Sequence, residues 1–150
     1  MSEALQRETL ADGRLRLAAG KGSFTYERLR PGVLLVTVEG SDMGQFGTAS
    51  LDEVRLEMLR QRPVELFVDA EAAQLVSVAV SKEWTQFFSQ NREHLSRVSV
   101  LVGSRAIELT VAIAQHLSQT GNLIQIYTAR DLFAARLQAA RPAAPASPSS

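Results

Sequence analysis

The sequence predicts an α/β fold in which a mostly parallel, five-stranded sheet carries one antiparallel strand at its edge and packs against four helices. Two observations carry this prediction. Short runs rich in β-branched and apolar residues recur along the chain, and such runs are typical of buried strands. Segments with apolar residues at helical spacing separate the later runs, and strands that are joined through a helix pair in parallel. The predicted order is β-β-α-β-α-β-α-β-α.

Five segments are predicted to be strands. The first two are joined by Arg30, Pro31 and Gly32, a typical turn sequence, so we expect them to form a hairpin. The second strand, VLLVTV, is apolar at nearly every position and is therefore expected in the middle of the sheet. The predicted strands span residues 24–30, 33–38, 64–69, 98–102 and 123–127.

The first helix is predicted from a capping box, in which Ser50 is the N-cap and Glu53 lies three residues later. The helix is expected to end near Arg60 and to leave Arg55 and Glu57 in water, because both lie on its polar face. Its predicted buried residues are Leu51, Val54 and Met58, with Leu59 as a further candidate.

Three further helices follow the later strands. The second is predicted to begin at Ser77 or Ser81 and to end near residue 95. The third helix is expected to end at Gly121, and the fourth is expected to begin at Thr128. Each has an apolar stripe at helical spacing. The stripes comprise Trp84, Phe87 and Phe88 in the second helix, Ile107, Val111, Ala114 and Leu117 in the third, and Leu132, Phe133, Leu137 and Ala140 in the fourth.

The folded domain is predicted to span residues 23–140, with a tail on each side. Residues 1–22 mix acidic and basic side chains without a long apolar run, so we expect a mobile leader there. Residues 141–150, RPAAPASPSS, are rich in Pro, Ala and Ser and are expected to be disordered. A chain of 150 residues without an internal repeat fits one such domain.

The composition argues against several classes of partner and compartment. Sixteen basic residues balance sixteen acidic ones, so the chain lacks the positive charge that binds nucleic acid or an anionic membrane. It has no cysteine, which excludes disulfides and thiolate chemistry. No signal peptide or membrane-spanning run is found in the sequence, and we therefore expect a cytoplasmic location.

No group of residues in the sequence indicates catalysis, a cofactor or a metal. His94 and His116 are the only histidines, and neither has the spaced partners of a metal site or a catalytic triad. The acids Glu65, Asp69 and Glu71 lie in and after the third strand without a nucleophile nearby. No phosphate-binding glycine motif is present. We therefore expect that the protein is not an enzyme and binds no cofactor.

The element order and one long passage resemble a STAS domain, the fold of bacterial anti-sigma-factor antagonists and of the cytoplasmic tails of sulfate transporters. The passage is VSVLVGSRAIELTVAIAQHLSQTGNLIQIYTARDLFAARL. It is similar to the family's last unit, in which a strand leads to a helix, a glycine-containing loop, a short strand and an amphipathic helix. The resemblance covers about residues 24–137. It implies a regulatory protein that works by binding another protein.

The family's phosphorylation signature is absent from the matching positions. Antagonists typically have Asp, seven residues, and then Asp-Ser-Ser-Gly, with the first Ser phosphorylated by a partner kinase. If Asp69 matches the first Asp, the signature falls on Ser77, Val78, Ala79 and Val80. The position of the phosphorylated Ser is then held by Val78, and a shifted register would instead place Ser77 or Ser81 at the helix start. The resemblance therefore implies a fold and a style of binding without the usual switch.

A candidate interaction surface lies around the start of the second helix, where STAS relatives contact their partners. It includes two apolar residues of the Gly-rich loop that precedes the first helix, at residues 40–50, which either pack on the core or face a partner. Its residues are Met43, Phe46, Leu75, Ser77, Val78, Val80 and Ser81. The sequence thus favours a non-enzymatic protein-interaction module in a bacterial regulatory complex, monomeric or weakly dimeric. The alternative is a domain of the same fold that binds a small molecule or lipid in a pocket between these loops and the Trp84 helix.

Overall fold

The fold is built on a single mixed sheet, seen in a computed structural model that describes residues 4–141. The sheet has seven strands, and each one pairs with its neighbours in chain order. The pairs from β1 to β4 are antiparallel, and those from β4 to β7 are parallel. The strands are β1 Gln6–Thr9, β2 Leu15–Ala19, β3 Gly22–Arg30, β4 Val33–Asp42, β5 Val64–Val76, β6 Leu95–Val102 and β7 Ile124–Tyr127.

Four α-helices follow β4, β5, β6 and β7. They are α1 Ala49–Arg60, α2 Val78–Gln90, α3 Arg105–Ser118 and α4 Arg130–Ala140, with a 3-10 turn at Arg92–His94. The α/β class, the four helices and the parallel pairing of the later strands are confirmed. The predicted end of the second helix near residue 95 is wrong, because Leu95 begins β6.

The prediction of a mostly parallel, five-stranded sheet is wrong. Half of the six strand pairs are antiparallel, because β1 and β2 extend the sheet beyond β3. These two strands lie within the segment that we expected to be a leader. β1 has the sequence QRET, which contains no alternating apolar residues, and it is exposed at every position. Its sequence therefore does not predict a strand. The observed element order is β-β-β-β-α-β-α-β-α-β-α. The predicted tail lies outside the described residues, except for Arg141.

Strand β5 is longer than the sequence predicts. The predicted strand ends at residue 69, but the segment from Ala70 to Val76 continues it alongside the end of β4. The register between the two strands shifts twice along this stretch. Such irregularities break the alternation of inward and outward side chains, which is why the sequence pattern does not reveal the extension.

The helices cover the two faces of the sheet unequally. Leu66 and Val68 of β5 belong to the larger core cluster, which also contains residues of α1, α2 and α3. Phe67, between them in the chain, belongs to a smaller cluster with Phe133 and Ala140 of α4. Successive side chains of a strand point to opposite faces. Therefore α1, α2 and α3 pack on one face and α4 packs on the other.

A buried carboxylate connects α1 to the β3–β4 turn. Glu57 is only 2% exposed, although the sequence predicted it to be in water. It forms an ion pair with Arg28, whose Nε lies 2.8 Å from Glu57 Oε1. It also accepts a hydrogen bond from the backbone N–H of Gly32 at 3.1 Å. Both partners are more than 20 positions away in the sequence, so a local helical pattern cannot reveal them.

The predicted helix caps differ from the observed ones. The N-cap of α1 is Thr48 rather than Ser50. Ser50 lies inside the first turn and is buried, and its backbone carbonyl accepts a hydrogen bond from the Tyr26 hydroxyl at 2.7 Å. The N-cap of α4 is Ala129 rather than Thr128. The C-cap of α3 is Gln119, in the left-handed conformation, rather than Gly121, which also has a positive φ.

Three residues that were predicted to face inward are exposed, and the most exposed is Leu59 of α1 at 80%. Leu117 of α3 is 60% exposed and Leu132 of α4 is 61% exposed. The remaining stripe residues of these helices are buried or pack partly against the two clusters. Leu117 extends an exposed apolar surface on α3.

Replacing Glu57 with alanine is expected to lower the free energy of unfolding by about 2 kcal/mol, because Arg28 and the Gly32 N–H lose a buried acceptor. Urea denaturation followed by Trp84 fluorescence measures the change. The matched control is Glu83→Ala in α2, an exposed position, which should change stability by less than about 0.5 kcal/mol. Equal effects of the two substitutions would contradict the structural role of Glu57.

Candidate functional site

The site lies where the parallel ends of β4 and β5 meet the start of α2. Asp42, the last residue of β4, pairs with Val76, the last residue of β5. The backbone N–H of Ser77 then donates to the Asp42 carbonyl at 3.0 Å. Ser77 is the N-cap of α2, and its hydroxyl oxygen accepts a hydrogen bond from the N–H of Val80 at 3.2 Å. The helix start is thus fixed to the end of the central strand pair.

The seven residues of the candidate surface divide by burial. Met43, Leu75 and Val78 are exposed, with fractions of 57%, 52% and 74%. Met43 and Val78 immediately follow Asp42 and Ser77, the two residues joined by the backbone hydrogen bond, so the structure brings them to the same end of the sheet. Whether this surface binds a partner stays a prediction.

The other candidate residues are less accessible. Phe46 packs on the core, with its ring edge against Phe24 at 4.7 Å between centroids. Val80 is also buried, and Ser77 and Ser81 are half-buried. Phe46 therefore follows the first alternative and packs on the core, whereas Met43 is exposed.

A surface groove between α2 and α3 continues from this helix start. It has a volume of about 470 Å³ and includes Ser77, Val78 and Ser81 of the candidate surface. On the α3 side, the groove is lined by the exposed Ile113 and Leu117, which were not predicted as surface residues. Leu109, one turn before Ile113, is also exposed. These three residues recur every four positions, and that spacing defines a second apolar stripe on a helix whose first stripe already faces the core. The residues lining the groove are Val76, Ser77, Val78, Ser81, Lys82, Thr85, Gln86, Thr110, Ile113 and Leu117.

An apolar cavity lies beneath the same helices, between α2, α3 and the sheet. Its volume is about 100 Å³. Asp42 is the one residue of its lining with an ionisable side chain. The lining residues are Phe24, Val38, Asp42, Val68, Ala70, Ala73, Val76, Val80, Ser81, Trp84, Phe88, Val100, Ile107, Thr110, Val111, Ala114 and Ile124.

The Asp42 carboxyl group is nearly inaccessible to solvent, with 4% of the residue exposed. Its Oδ1 accepts a hydrogen bond from the N–H of Gly44 at 3.0 Å. Burial raises the pKa of this carboxyl above its ordinary value, the Gly44 hydrogen bond partly opposes the change, and the negative charge of Glu83 adds to it. The cavity thus contains one acid that is costly to ionise.

The three acidic residues of β5 are paired with arginines of α4. Arg130 contacts Asp69 at 2.8 Å and Glu71 at 2.7 Å. Arg136 contacts Glu65 at 2.6 Å. These ion pairs attach α4 to the sheet on the face opposite the cavity, so the three carboxylates are occupied in holding the helix.

The two histidines belong to different elements. His94 belongs to the 3-10 turn and His116 is exposed on α3. Within residues 4–141, no group of three or more His, Cys, Asp or Glu side chains is placed so that it could hold a metal ion. Among the described helices, none combines the length and the hydropathy needed to cross a membrane.

Comparison with known proteins finds this fold in solved structures and finds no match by sequence. No protein-family model and no curated protein matches the chain. An anti-sigma factor antagonist from Mycobacterium paratuberculosis superposes with a TM-score of 0.57 at 16% identity, over 78% of this chain and 94% of the other. An uncharacterised DUF3478-family protein with a SpoIIAA-like fold from Shewanella loihica gives a TM-score of 0.53 at 13% identity, over 77% and 93%. These matches confirm the predicted STAS-like fold.

Asp42 is expected to make stability depend on pH. Its raised pKa means that the folded protein holds this proton more tightly than the unfolded chain. Its contribution to stability is therefore complete below the unfolded value of about 3.9 and is lost as pH rises through the folded value. Asp42→Asn keeps the acceptor for Gly44 and removes the charge. Between about pH 4 and pH 7, the variant should lose less unfolding free energy than the wild type in urea titrations.

Asp12 provides a control, because its pKa is shifted in the direction opposite to that of Asp42. Hydrogen bonds from the backbone and side chain of Arg14 lower the pKa of this exposed carboxyl. Its contribution is present above the unfolded value and is lost as pH falls, so Asp12→Asn should shift the pH profile in the direction opposite to Asp42→Asn. Parallel profiles for wild type and Asp42→Asn would contradict the assignment.

Proposed function

We propose that this protein is a non-enzymatic interaction module that binds another protein within a bacterial regulatory complex in the cytoplasm. The single observation that carries the proposal is the exposed apolar surface of Met43, Leu75 and Val78 at the start of α2. The STAS-like fold supports it, because an anti-sigma factor antagonist shares that fold. Exposed apolar groups that cluster at one end of a sheet are typical of binding surfaces.

The groove between α2 and α3 indicates the chemistry of the partner. Val78, Ile113 and Leu117 supply apolar contacts along it, and Lys82 is the charged residue of its lining. A partner segment with apolar anchors and an acidic residue opposite Lys82 would match both properties. The whole chain carries no net charge, so local complementarity rather than long-range attraction would select this partner.

Binding in this proposal is not switched by serine phosphorylation. Val78, at the position that the family signature assigns to the phosphorylated serine, has no hydroxyl group and is the first residue of α2. The neighbouring Ser77 hydroxyl caps the helix by accepting from Val80, and Ser81 lies half-buried one turn later.

Val78→Asp should weaken partner binding by about tenfold or more, because a charge at the centre of an apolar contact must be desolvated. The substitution should leave the fold intact, since an acidic side chain is favourable in the first turn of a helix. Affinity purification from the source organism with mass spectrometry identifies the partner. Titration calorimetry with the purified partner then gives the affinity.

Leu132→Asp is the matched control for this substitution. Leu132 is also exposed and also lies in the first turn of a helix, but that helix is α4 on the opposite face of the sheet. It should bind the partner with unchanged affinity. Retention of the partner by Val78→Asp, or equal loss in both variants, would show that the surface at the start of α2 is not the interface.

The phosphorylation proposal has a direct test. After incubation with ATP and the kinase from the same regulatory system, peptide mass spectrometry should find no phosphate on Ser77 or Ser81. A stoichiometric phosphate on either residue that also changes partner affinity would contradict the proposal.

A second candidate function is the binding of a small apolar molecule, and the cavity beneath α2 and α3 favours it. An apolar cavity of about 150 Å³ is known to bind benzene, and the cavity described here is about 100 Å³. A molecule that binds only the folded state must raise the melting temperature by mass action. This function uses the inner side of the helix pair, whereas partner binding uses the outer side.

A further inference from the structure

Helix α3 carries its larger aliphatic side chains mainly on the side that faces solvent. Leu109, Ile113 and Leu117 are 62%, 47% and 60% exposed. On the side that faces the sheet, the buried apolar residues of the helix are Ile107 and Ala114. A helix on the surface of a monomer normally shows the reverse distribution, with the large apolar residues inside and polar residues outside. The exposed stripe therefore has the character of a contact surface rather than of scattered surface leucines.

The exposed stripe lies in a part of α3 that has no formal charge. From Leu109 to Gln119, the sequence LTVAIAQHLSQ contains no acidic residue, lysine or arginine, and His116 is its only histidine. The charged residues of α3, Arg105 and Glu108, both lie in its first turn. A charge that is buried in an interface must be desolvated and is costly unless it is paired. An uncharged stripe is therefore suited to contact another uncharged, apolar surface.

The stripe is also symmetric about its central residue. Leu109 lies four residues before Ile113, and Leu117 lies four residues after it. A two-fold axis through Ile113, perpendicular to the helix, would place two copies of α3 antiparallel, with Leu109 of each copy beside Leu117 of the other. Rows of residues that are four apart form the ridges that interlock in the commonest class of helix packing. The stripe is thus complementary to a second copy of itself.

The charges in the first turn of α3 favour the antiparallel orientation. In a parallel pair, Glu108 of one copy would lie beside Glu108 of the other, and like charges at an interface repel each other. In the antiparallel pair, the two first turns lie at opposite ends of the contact. A helix of 14 residues is about 21 Å long, so the like charges are separated by more than the distance over which salt screens them, about 8 Å.

We propose that this protein forms a reversible homodimer through Leu109, Ile113 and Leu117, with the two α3 helices antiparallel about Ile113. A second copy is the occupant that matches the stripe, because it offers the same apolar, uncharged and symmetric surface. Ile113 and Leu117 also line the groove between α2 and α3. A second copy on the stripe and a partner segment in the groove would therefore exclude each other.

The size of the surface indicates a weak dimer. α2 and α3 have 13 and 14 residues, and packed helices lie about 10 Å apart, so the outer face of the pair measures about 20 Å by 20 Å. This area of about 400 Å² is half of the roughly 800 Å² that each partner contributes to a stable interface. The dissociation constant is therefore expected to be micromolar or higher.

Sedimentation equilibrium of the full chain, over a series from micromolar to millimolar concentration, measures the association. The average mass should rise from that of a monomer towards that of a dimer. Ile113→Glu should weaken the dimer by about a hundredfold, because the substitution acts once in each copy and each buried carboxylate costs about tenfold. The matched control is Leu132→Glu, at an equally exposed leucine of α4 on the opposite face of the sheet. It should leave the association unchanged.

Two charge exchanges test the geometry and separate it from a loss of folding. Ile113→Lys alone should be monomeric, but an equal mixture with Ile113→Glu should form heterodimers, because opposite charges then meet at the axis. In the antiparallel arrangement, Leu109→Glu combined with Leu117→Lys in one chain should dimerise more tightly than Leu109→Glu alone. Each introduced carboxylate would then lie beside the introduced ammonium group of the other copy.

A chain that stays monomeric at millimolar concentration would overturn the proposal. A dimer that Ile113→Glu leaves intact would overturn it as well, because the interface would then lie elsewhere. The same holds if the mixed Ile113→Glu and Ile113→Lys variants do not associate, or if Leu117→Lys does not restore dimerisation to Leu109→Glu. These measurements need no partner protein, so their result is independent of the proposed partner binding at the start of α2.

Discussion

The structure depends on the parallel pairing of β4 with β5. This pairing extends from Val33 opposite Glu65 to Asp42 opposite Val76. The antiparallel half of the sheet is built outward from β4, and the parallel half from β5. The connection through α1 is held by Glu57, which joins that helix to the turn at the start of β4. At the other end, the same ladder places the first residue after β5 within hydrogen-bond distance of the last residue of β4.

The parts of the fold that could be predicted are those whose burial is encoded locally. The segments 33–38, 64–69 and 98–102 are apolar because the sheet is covered on both faces at its centre, and each lies within an observed strand. β1 could not be found this way, since an edge strand exposed at every position needs no apolar pattern. The buried Glu57 and the end of β5 depend on partners far away in the sequence, which no local pattern contains.

The sequence predicted only part of the site, because the rest of it also depends on contacts that are distant in the sequence. Its position at the start of α2 followed from the resemblance, and the exposure of Val78 is compatible with it. The groove was missed because Leu117 was assigned to the core, although α3 carries more apolar residues than one buried face can hold. Asp42 stands in the sequence as an ordinary loop acid after a strand. Its burial results from the cavity that α2 and α3 form above the sheet, and this is a tertiary property.

The two candidate functions would use the same pair of helices. Val76, Ser81 and Thr110 line both the cavity on the inner side of α2 and α3 and the groove on their outer side. A molecule that holds these helices away from the sheet therefore also changes the shape of the groove. By linkage, a protein bound in the groove must change the affinity of the cavity by the same factor as the cavity ligand changes the affinity of the groove. This chain has no hydroxyl at the position of the family's phosphorylated serine. A ligand in the cavity would then be another way to regulate its binding surface.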